Sequence, residues 1–278
     1  MSQCAALAID WSGPGRQPCP LCNRGQKDRS LGVTVEPDGR GVAHCFRCGH
    51  VQTIRGEVTS RRSQHVLPHR PAAKKRRALS PYGRQLWESC VPLDGASLAY
   101  LQARQCVIPP PGGHLRCHPR LKHWPSSTVG PALVGLVTDA VTGEPLTLHR
   151  TWVQSDGKKA PLDEPRMVLK DHDKVGGVVR LWPDEAVTVS LGIAEGIETA
   201  LSLAHAFSPV WALLDAGNLA SMPVLDGVES LLIAADHDAA GIAAAKSCGQ
   251  RWAARGREAR IVMSDVPKAD LNDMVRAA

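Results

Sequence analysis

The chain has 278 residues, of which 43% are hydrophobic and 22% charged, as in folded globular proteins rather than disordered ones. This length suits two or three domains better than one small module. The sequence contains no apolar run of about 20 residues and no signal-peptide pattern, so we expect a cytosolic (cytoplasmic) protein with no membrane partner. Its nine cysteines are then expected to be thiols or metal ligands rather than disulfides.

Two closely spaced cysteine pairs dominate the first 56 residues. Cys19 and Cys22 form one CxxC motif, and Cys45 and Cys48 form the other. Residues 31–36 and 41–46 between them are predicted to pair as a hairpin with its turn at 37–39. So short a segment cannot bury a sufficient core, and a tetrahedral Zn²⁺ bound by the four thiolates would replace it. The pattern predicts a zinc ribbon over residues 1–56 with one structural zinc ion.

A strongly basic segment follows. Residues 55–84 contain nine Lys and Arg and one acid, a net charge of +8 compared with +6 for the whole chain. The segment shows no hydrophobic periodicity, which indicates a flexible linker over residues 57–85. Two interpretations stay open for it, a solubilising tether and a segment that contacts phosphates.

Residues 86–185 carry mixed signals. A short helix is predicted around 98–105 and a loop at 109–113, followed by strands at 132–138 and 145–153 that form a hairpin around Thr142-Gly143. We therefore predict an α+β unit here.

From residue 186 onward, nearly continuous apolar runs alternate with amphipathic helical segments. This alternation is typical of a parallel sheet covered on both faces, so residues 186–278 are predicted to be a small α/β domain. The predicted fold class is thus multi-domain: a small β zinc ribbon, an α+β unit and an α/β domain. The sequence has no GxxxxGK[ST] motif, which excludes a phosphate-loop motor within it.

Acidic residues follow two of the predicted strands of the α/β domain. Glu195 comes after one strand, and Asp236 and Asp238 come after another. Ligands of parallel sheets bind at the carboxyl ends of the strands, so these side chains should converge there, with Asp270 and Asp273 completing the group. Clustered carboxylates repel one another unless a cation lies among them, and Mg²⁺ suits such oxygen ligands. The alternative is a structural one in which acids such as Asp238 cap helices.

Glu195-Gly196 after one strand, Asp236-x-Asp238 after another and the later Asp270 resemble the Toprim domain. That domain is shared by DnaG-type primases, some topoisomerases, nucleases of the OLD type and RecR-like repair proteins. The order of a cysteine ribbon, a basic linker, an α+β unit and Toprim resembles bacterial, phage and plasmid DnaG-type primases in particular.

Two further motifs carry this resemblance. Tyr100-Leu101 with Arg104 is similar to the YLxxRG element of these primases, and residues 148–151 and 157–160 are similar to the basic segment of plasmid- and phage-borne members. The chain departs from the family pattern in having Gln105 where a glycine is common and Thr199 where many primases have a second acid. We take a plasmid or phage origin as the working hypothesis.

The resemblance implies a DNA primase that joins ribonucleoside triphosphates into RNA primers on a single-stranded DNA template, with a separate replicative helicase as partner. It implies that catalytic Mg²⁺ or Mn²⁺ is held by Glu195, Asp236, Asp238 and Asp270. Cations should face these acids. The candidates are Arg150 and Lys159 for catalysis and Arg104, His149, Lys158 and Lys170 for nucleotide binding.

Three alternatives stay open. A Toprim nuclease would use the same acids and no ribonucleotides, a RecR-like protein would bind DNA without catalysis, and an inactivated primase would act as a regulator. A topoisomerase is disfavoured because Tyr82 and Tyr100 are the only tyrosines that could serve as nucleophiles.

Overall fold

The computed structural model describes residues 9–13, 15–22, 24–35, 40–45, 47–48, 50–54 and 78–277. The chain folds as two units, residues 1–71 and 72–278. Within the described ranges, no helix is long and apolar enough to cross a membrane.

The first unit is a small antiparallel sheet. Its strands follow the chain order, β1 (Gly15–Gln17), β2 (Leu31–Val35), β3 (Gly41–Cys45) and β4 (Val51–Ile54). Strands β2 and β3 pair from Leu31 opposite Cys45 to Val35 opposite Gly41, which confirms the predicted pairing. The turn predicted at 37–39 lies outside the described residues. Among the described residues of this unit, the buried core consists of Cys19, Leu31, Val33, Ala43 and Cys45.

In the residues that the structure describes, the second unit contains six α-helices, one short 3-10 helix (Asp184–Ala186) and nine strands. It begins with α1 (Pro81–Glu88) and α2 (Gly95–Ala103), followed by β5 (Leu115–His123), β6 (Thr128–Asp139), β7 (Pro145–Trp152), β8 (Arg166–Val168) and β9 (Gly177–Arg180). The remaining elements are β10 (Ser190–Ala194), α3 (Ile197–Leu203), β11 (Val210–Ala212), α4 (Ala216–Ser221), β12 (Ser230–Ala235), α5 (Ala239–Ala253), β13 (Glu258–Met263) and α6 (Leu271–Ala277).

All nine strands of this described unit belong to one sheet in the order β13-β12-β10-β11-β9-β6-β7-β8, with β5 paired to β6. The first four strands are parallel, and from β9 onward the pairing is antiparallel. The parallel α/β part and the antiparallel α+β part are therefore continuous through the pairing of β11 with β9. The predicted boundary at residue 186 falls inside this sheet.

Both faces of the parallel part are covered. Ala194 of β10 packs in a core with α2 and α3, whereas its neighbour Ile193 packs in a second core with α4 and α5. A third core lies between α1 and the hairpin of β6 and β7. A strand that is buried on both faces needs apolar residues at successive positions, which explains the continuous apolar runs in the sequence.

The predicted fold class is confirmed: a small β unit, an α+β part and an α/β part with a parallel sheet. The hairpin of β6 and β7 also lies where the sequence predicts it. Sequence analysis did not identify β5 or α4, and α1 begins inside the segment predicted as a linker. Residues 57–77 of that linker lie outside the described residues.

Candidate metal centres and the surrounding basic residues

The four predicted zinc ligands come together in the first unit. The sulfur atoms of Cys19, Cys22, Cys45 and Cys48 all lie within 4.8 Å of one another. The distance from Cys19 to Cys48 is 3.7 Å, and that from Cys22 to Cys45 is also 3.7 Å. A tetrahedron with metal–sulfur bonds of about 2.3 Å has edges of about 3.8 Å, so the four atoms suit a tetrahedral metal ion.

The surroundings of Cys45 favour its thiolate, whereas burial raises the pKa of the Cys22 thiol to about 12. Hydrogen bonds from backbone amides, first that of Cys48 and then that of Arg47, lower the pKa of the Cys45 thiol to about 5 against the opposing effect of burial. Ser30 also lies at 3.6 Å from the Cys45 sulfur. Because a metal ion binds the thiolate and not the thiol, these backbone donors prepare Cys45 as a ligand.

In the second unit, acids lie where three parallel strands end. Glu195 follows β10 directly and Asp236 follows β12 directly. Asp215, which sequence analysis did not single out, lies three residues after β11. The backbone N–H of Leu214 donates to the carbonyl of Glu195 at 2.7 Å, and the N–H of Ala216 hydrogen-bonds the Glu195 carboxylate, so the β11–α4 loop fixes this side chain.

Two of the predicted metal ligands also cap helices. Asp238 accepts a hydrogen bond from the N–H of Gly241 at 2.7 Å and is the N-cap of α5. Asp270 accepts from the N–H of Asp273 at 2.9 Å at the start of α6, and Asp273 accepts from the N–H of Asp270 at 3.4 Å. The structural alternative considered for Asp238 is therefore observed. A capping carboxylate keeps further lone pairs, so capping and metal binding are compatible.

Backbone contacts bring the two loops that carry these acids together. The N–H of His237 donates to the carbonyl of Ala269 at 3.1 Å, and the N–H of Lys268 donates to the carbonyl of His237 at 2.8 Å. Gly241 permits a close approach on the other side, since a Cβ there would lie 2.6 Å from the carbonyl oxygen of Asp236. The Asp236 loop is thus held between α5 and the segment that precedes α6.

The electrostatics of the acid cluster favour a cation among the carboxylates. Burial, followed by the charges of Asp270, Asp238 and Asp273, raises the pKa of Asp236 to about 6. Burial, followed by the charges of Asp236, Asp238 and Asp215, also raises the pKa of Glu195. One oxygen of Asp236, Oδ1, is buried with no hydrogen-bond partner in the described structure.

These residues fit a divalent ion with a preference for oxygen ligands, because an orphaned buried carboxylate oxygen and mutual repulsion are both relieved by such an ion. The carboxylates are more widely spaced than the cysteines. Among the described residues, only the four cysteines form a group of three or more possible ligands within 4.8 Å of one another. This spacing leaves room between the acids for ligands other than protein oxygens.

Basic residues lie next to the acid cluster. Lys159 is half-buried, and its pKa is lowered by burial and then by Arg166, while the charges of Glu198 and Asp270 oppose this shift. Arg104 donates to Asn272 of α6 at 3.1 Å, and Asn272 in turn donates to the Arg104 carbonyl at 2.7 Å. The predicted cations Lys159 and Arg104 are therefore brought beside the acids.

The other predicted cations are placed differently. His149 and Arg150 are successive residues of β7 and face opposite sides of the sheet. His149 is near Arg166 and Glu198, and burial followed by the charge of Arg166 lowers its pKa to about 4, so it is neutral at physiological pH. Arg150 stacks over Trp152 at 5.3 Å and donates to the carbonyl of Val168 at 2.7 Å. The structure does not bring Arg150 to the acids.

Lys158 and Lys170 are both exposed. Lys158 pairs with Asp156 at 3.6 Å, and its side chain is 78% exposed. Within the described residues, neither lysine forms a hydrogen bond or ion pair with the acid cluster.

The structure reveals further residues of the site that sequence analysis missed. Glu198, near the start of α3, is buried and pairs with Arg166 and Tyr100. Lys174 pairs with Asp215 at 3.0 Å. A signal for Glu198 was present, since an acid on the apolar stretch of a predicted helix requires a partner. Arg166 and Lys174 lie in a loop-rich segment without a pattern.

Both departures from the family pattern have a structural explanation. Gln105 has a φ of +52°, a left-handed backbone that favours glycine, so the position fits the glycine that is common there. Thr199 is buried and donates from Oγ1 to Asp270 at 3.2 Å. A threonine here therefore contacts an acid of the cluster.

Two families match this chain. Residues 77–181 match a family described as a domain of unknown function (DUF7146), and residues 190–278 match the Toprim domain family. No curated protein has a sequence that matches the chain. The C-terminal part of the chain, with its strand-end acids, is a Toprim domain.

The chain is also similar to solved primase structures. The primase fragment of the bacteriophage T7 primase-helicase protein is 17% identical, with 94% of each chain covered and a TM-score of 0.42. A DNA primase domain from Pseudomonas aeruginosa is 15% identical over 57% of this chain and 52% of that chain, with a TM-score of 0.37. The zinc-binding and RNA polymerase domains of the Aquifex aeolicus primase are 16% identical over 52% of this chain and 37% of that chain, with a TM-score of 0.36.

The chain thus combines a four-cysteine cluster that could hold a metal ion with a Toprim domain. The resemblance to DnaG-type primases that the sequence predicts is confirmed in these two features.

Proposed function

We propose that this chain is a DNA primase that joins ribonucleoside triphosphates on a single-stranded DNA template by metal-dependent nucleotidyl transfer. The observation that carries the proposal is the acid cluster of the Toprim domain with cations beside it. Asp236 has an orphaned buried oxygen there, and Lys159 is close enough to Asp270 for their charges to interact.

The acids would hold the metal. Asp236 lies within electrostatic range of Asp238 and Asp270, Glu195 lies within range of Asp236 and Asp238, and these carboxylates suit Mg²⁺ or Mn²⁺. A divalent ion held there would neutralise triphosphate charge and favour ionisation of the attacking 3′ hydroxyl. The protein's own contribution is to fix these oxygens before substrate arrives, through the loop contacts of His237 and the two helix caps.

The cations would bind the phosphates. Lys159 is within electrostatic range of Arg104, Arg166 and Asp270. Fixed positive charges facing a developing negative charge stabilise it without the cost of reorganising water. Phosphate binding in this proposal is therefore assigned to Lys159, Arg104 and Arg166, with neutral His149 beside them, and does not include Arg150.

We further propose that the four cysteines bind one structural Zn²⁺ and that the zinc unit contacts the template. The four sulfurs at tetrahedral distances support the zinc, and so does the small buried core of the described residues, to which Cys19 and Cys45 themselves belong. A separate replicative helicase would supply the single strands.

Primer synthesis tests the proposal. Purified protein is incubated with a panel of single-stranded DNA templates, labelled ribonucleoside triphosphates and Mg²⁺ or Mn²⁺, and the products are separated by size. Asp238→Asn is an informative variant because asparagine keeps the cap of α5 and removes the charge. Glu195→Gln removes a second carboxylate with little change in shape.

We expect short RNA products from the wild type and their loss in both variants. RNA synthesis at the wild-type rate by the double variant Asp236→Asn, Asp238→Asn would contradict the assignment of the metal site. Cleavage of the DNA without RNA synthesis would instead identify a Toprim nuclease. Binding of DNA without RNA synthesis and without cleavage would identify a RecR-like protein or an inactivated primase.

A further inference from the structure

Glu198 connects three elements at a buried point beside the acid cluster. It lies in the first turn of α3 and is 6% exposed. Its Oε1 accepts hydrogen bonds from Tyr100 Oη of α2, at 2.5 Å, and from Arg166 Nη2 of β8. Burial alone would raise the pKa of Glu198, but Arg166 and the Tyr100 hydroxyl outweigh it and hold the pKa well below its usual value. The carboxylate is therefore charged and is held in one orientation.

Arg166 reaches from this buried carboxylate to the surface. The Arg166 side chain is 40% exposed, whereas that of Glu198 is 8% exposed. Within the part of the chain that the structure describes, Glu198 is the recorded hydrogen-bond partner of the guanidinium. A guanidinium carries five N–H donors in a rigid plane, so one edge can be fixed by the carboxylate while the rest are presented to a ligand.

The first turn of α3 also holds the acid cluster. Thr199, the residue after Glu198, donates to Asp270 at 3.2 Å. Glu198 thus contacts the cation Arg166, and the next residue of the same helical turn, Thr199, contacts the metal-ligand candidate Asp270. This arrangement sets the distance between Arg166 and the acids.

We infer that Glu198 is a positioning residue that orients Arg166 so that its guanidinium binds the phosphates of an incoming nucleoside triphosphate. The inference rests on the proposed function, whose substrate is such a triphosphate. Lys159 and Arg104 place further positive charge near Arg166. Without the Glu198 carboxylate, repulsion from these cations would turn Arg166 toward water, and the site would lose its prearranged phosphate ligand.

A double-mutant cycle on nucleotide binding tests the inference. The affinity for fluorescently labelled ATP with Mg²⁺ is measured for the wild type, Glu198→Gln, Arg166→Ala and the double variant. Each single variant is expected to bind ATP about 10-fold more weakly, as for the loss of one charge-assisted hydrogen bond. The double variant is expected to bind like Arg166→Ala alone, because Glu198 acts only through Arg166.

Two further variants separate positioning from folding. Glu258→Gln removes an acid from the exposed pair with Arg260, at 2.7 Å, and should leave ATP binding unchanged. Arg166→Lys keeps the charge opposite Glu198 and loses the planar donors, so it should keep the melting temperature and bind ATP several-fold more weakly. It provides the test if Glu198→Gln does not fold.

The outcomes are distinguishable from those for the proposed function. Three outcomes would overturn the inference. The first is that the two single losses of ATP affinity multiply in the double variant. The others are unchanged ATP affinity in folded Glu198→Gln or Arg166→Lys, and no ATP binding by the wild type. A wild type that binds ATP but makes no RNA would contradict the primase and leave the cycle as a valid test. Primer synthesis together with a multiplicative cycle would overturn only the role of Glu198.

Discussion

Replacing Asp236 by asparagine should stabilise the metal-free protein while removing its response to magnesium. Burial and three neighbouring acids raise the pKa of Asp236 from 3.8 to about 6 in the folded chain. The folded state therefore holds this proton more tightly than the unfolded state, and the ionised carboxylate destabilises the fold. The penalty is complete above about pH 6 and disappears as the pH falls toward the unfolded value.

The magnitude follows from the pKa shift. A shift of this size corresponds to at most about 3 kcal/mol, and solvent screening of a partly exposed group reduces it to roughly 1–2 kcal/mol. Asparagine carries no charge, so Asp236→Asn should gain this amount near pH 7.5 and about half of it near pH 5. For a unit of this size the gain corresponds to roughly 2–8 °C in melting temperature.

The assay is thermal unfolding without added divalent cation, followed by the fluorescence of tryptophans such as the buried Trp152 and Trp252. Magnesium at ten times its dissociation constant should stabilise the wild type by about 1.4 kcal/mol and leave Asp236→Asn unaffected. Asp226→Asn, at an exposed acid of the same unit, is the matched control and should change stability by less than about 0.5 kcal/mol. Equal stability of wild type and Asp236→Asn, or an equal response to magnesium, would refute the reasoning.

Three further predictions concern the cysteine cluster, the acid-bearing loop and the buried carboxylate. Cys19→Ser should abolish stoichiometric zinc binding and unfold the first unit, because its small core cannot replace the metal; zinc release to a colorimetric chelator and circular dichroism measure this. Gly241→Ala should lower the free energy of unfolding in urea by about 1–3 kcal/mol and weaken magnesium binding, since the new Cβ would lie 2.6 Å from a loop carbonyl. An unchanged free energy of unfolding and unchanged magnesium affinity would show that the loop adapts. Tyr100→Phe should lower the free energy of unfolding by about 1.5–3 kcal/mol through the lost hydrogen bond to Glu198. Tyr82→Phe, at a tyrosine that is 53% exposed, should leave it almost unchanged. Similar losses in both variants would contradict a buried hydrogen bond at Tyr100.

The sequence by itself determined the features that depend on local spacing. The two CxxC pairs specify a four-sulfur site whatever lies between them, because each pair offers two thiolates from one turn. Apolar runs followed by an acid specified the parallel strands and placed Glu195 and Asp236 at their carboxyl ends, since each strand of a parallel sheet ends at the same edge. The structure confirms the fold class on these grounds.

The tertiary structure decided which distant side chains meet. The strand period puts His149 and Arg150 on opposite faces. Only the packing of the sheet brings His149 near Glu198 of α3. Arg166 lies on the short strand β8 in a loop-rich segment, and its partner Glu198 lies on α3. Their pairing depends on the continuous sheet that joins β9 to β11, a long-range contact that has no local signal in the sequence.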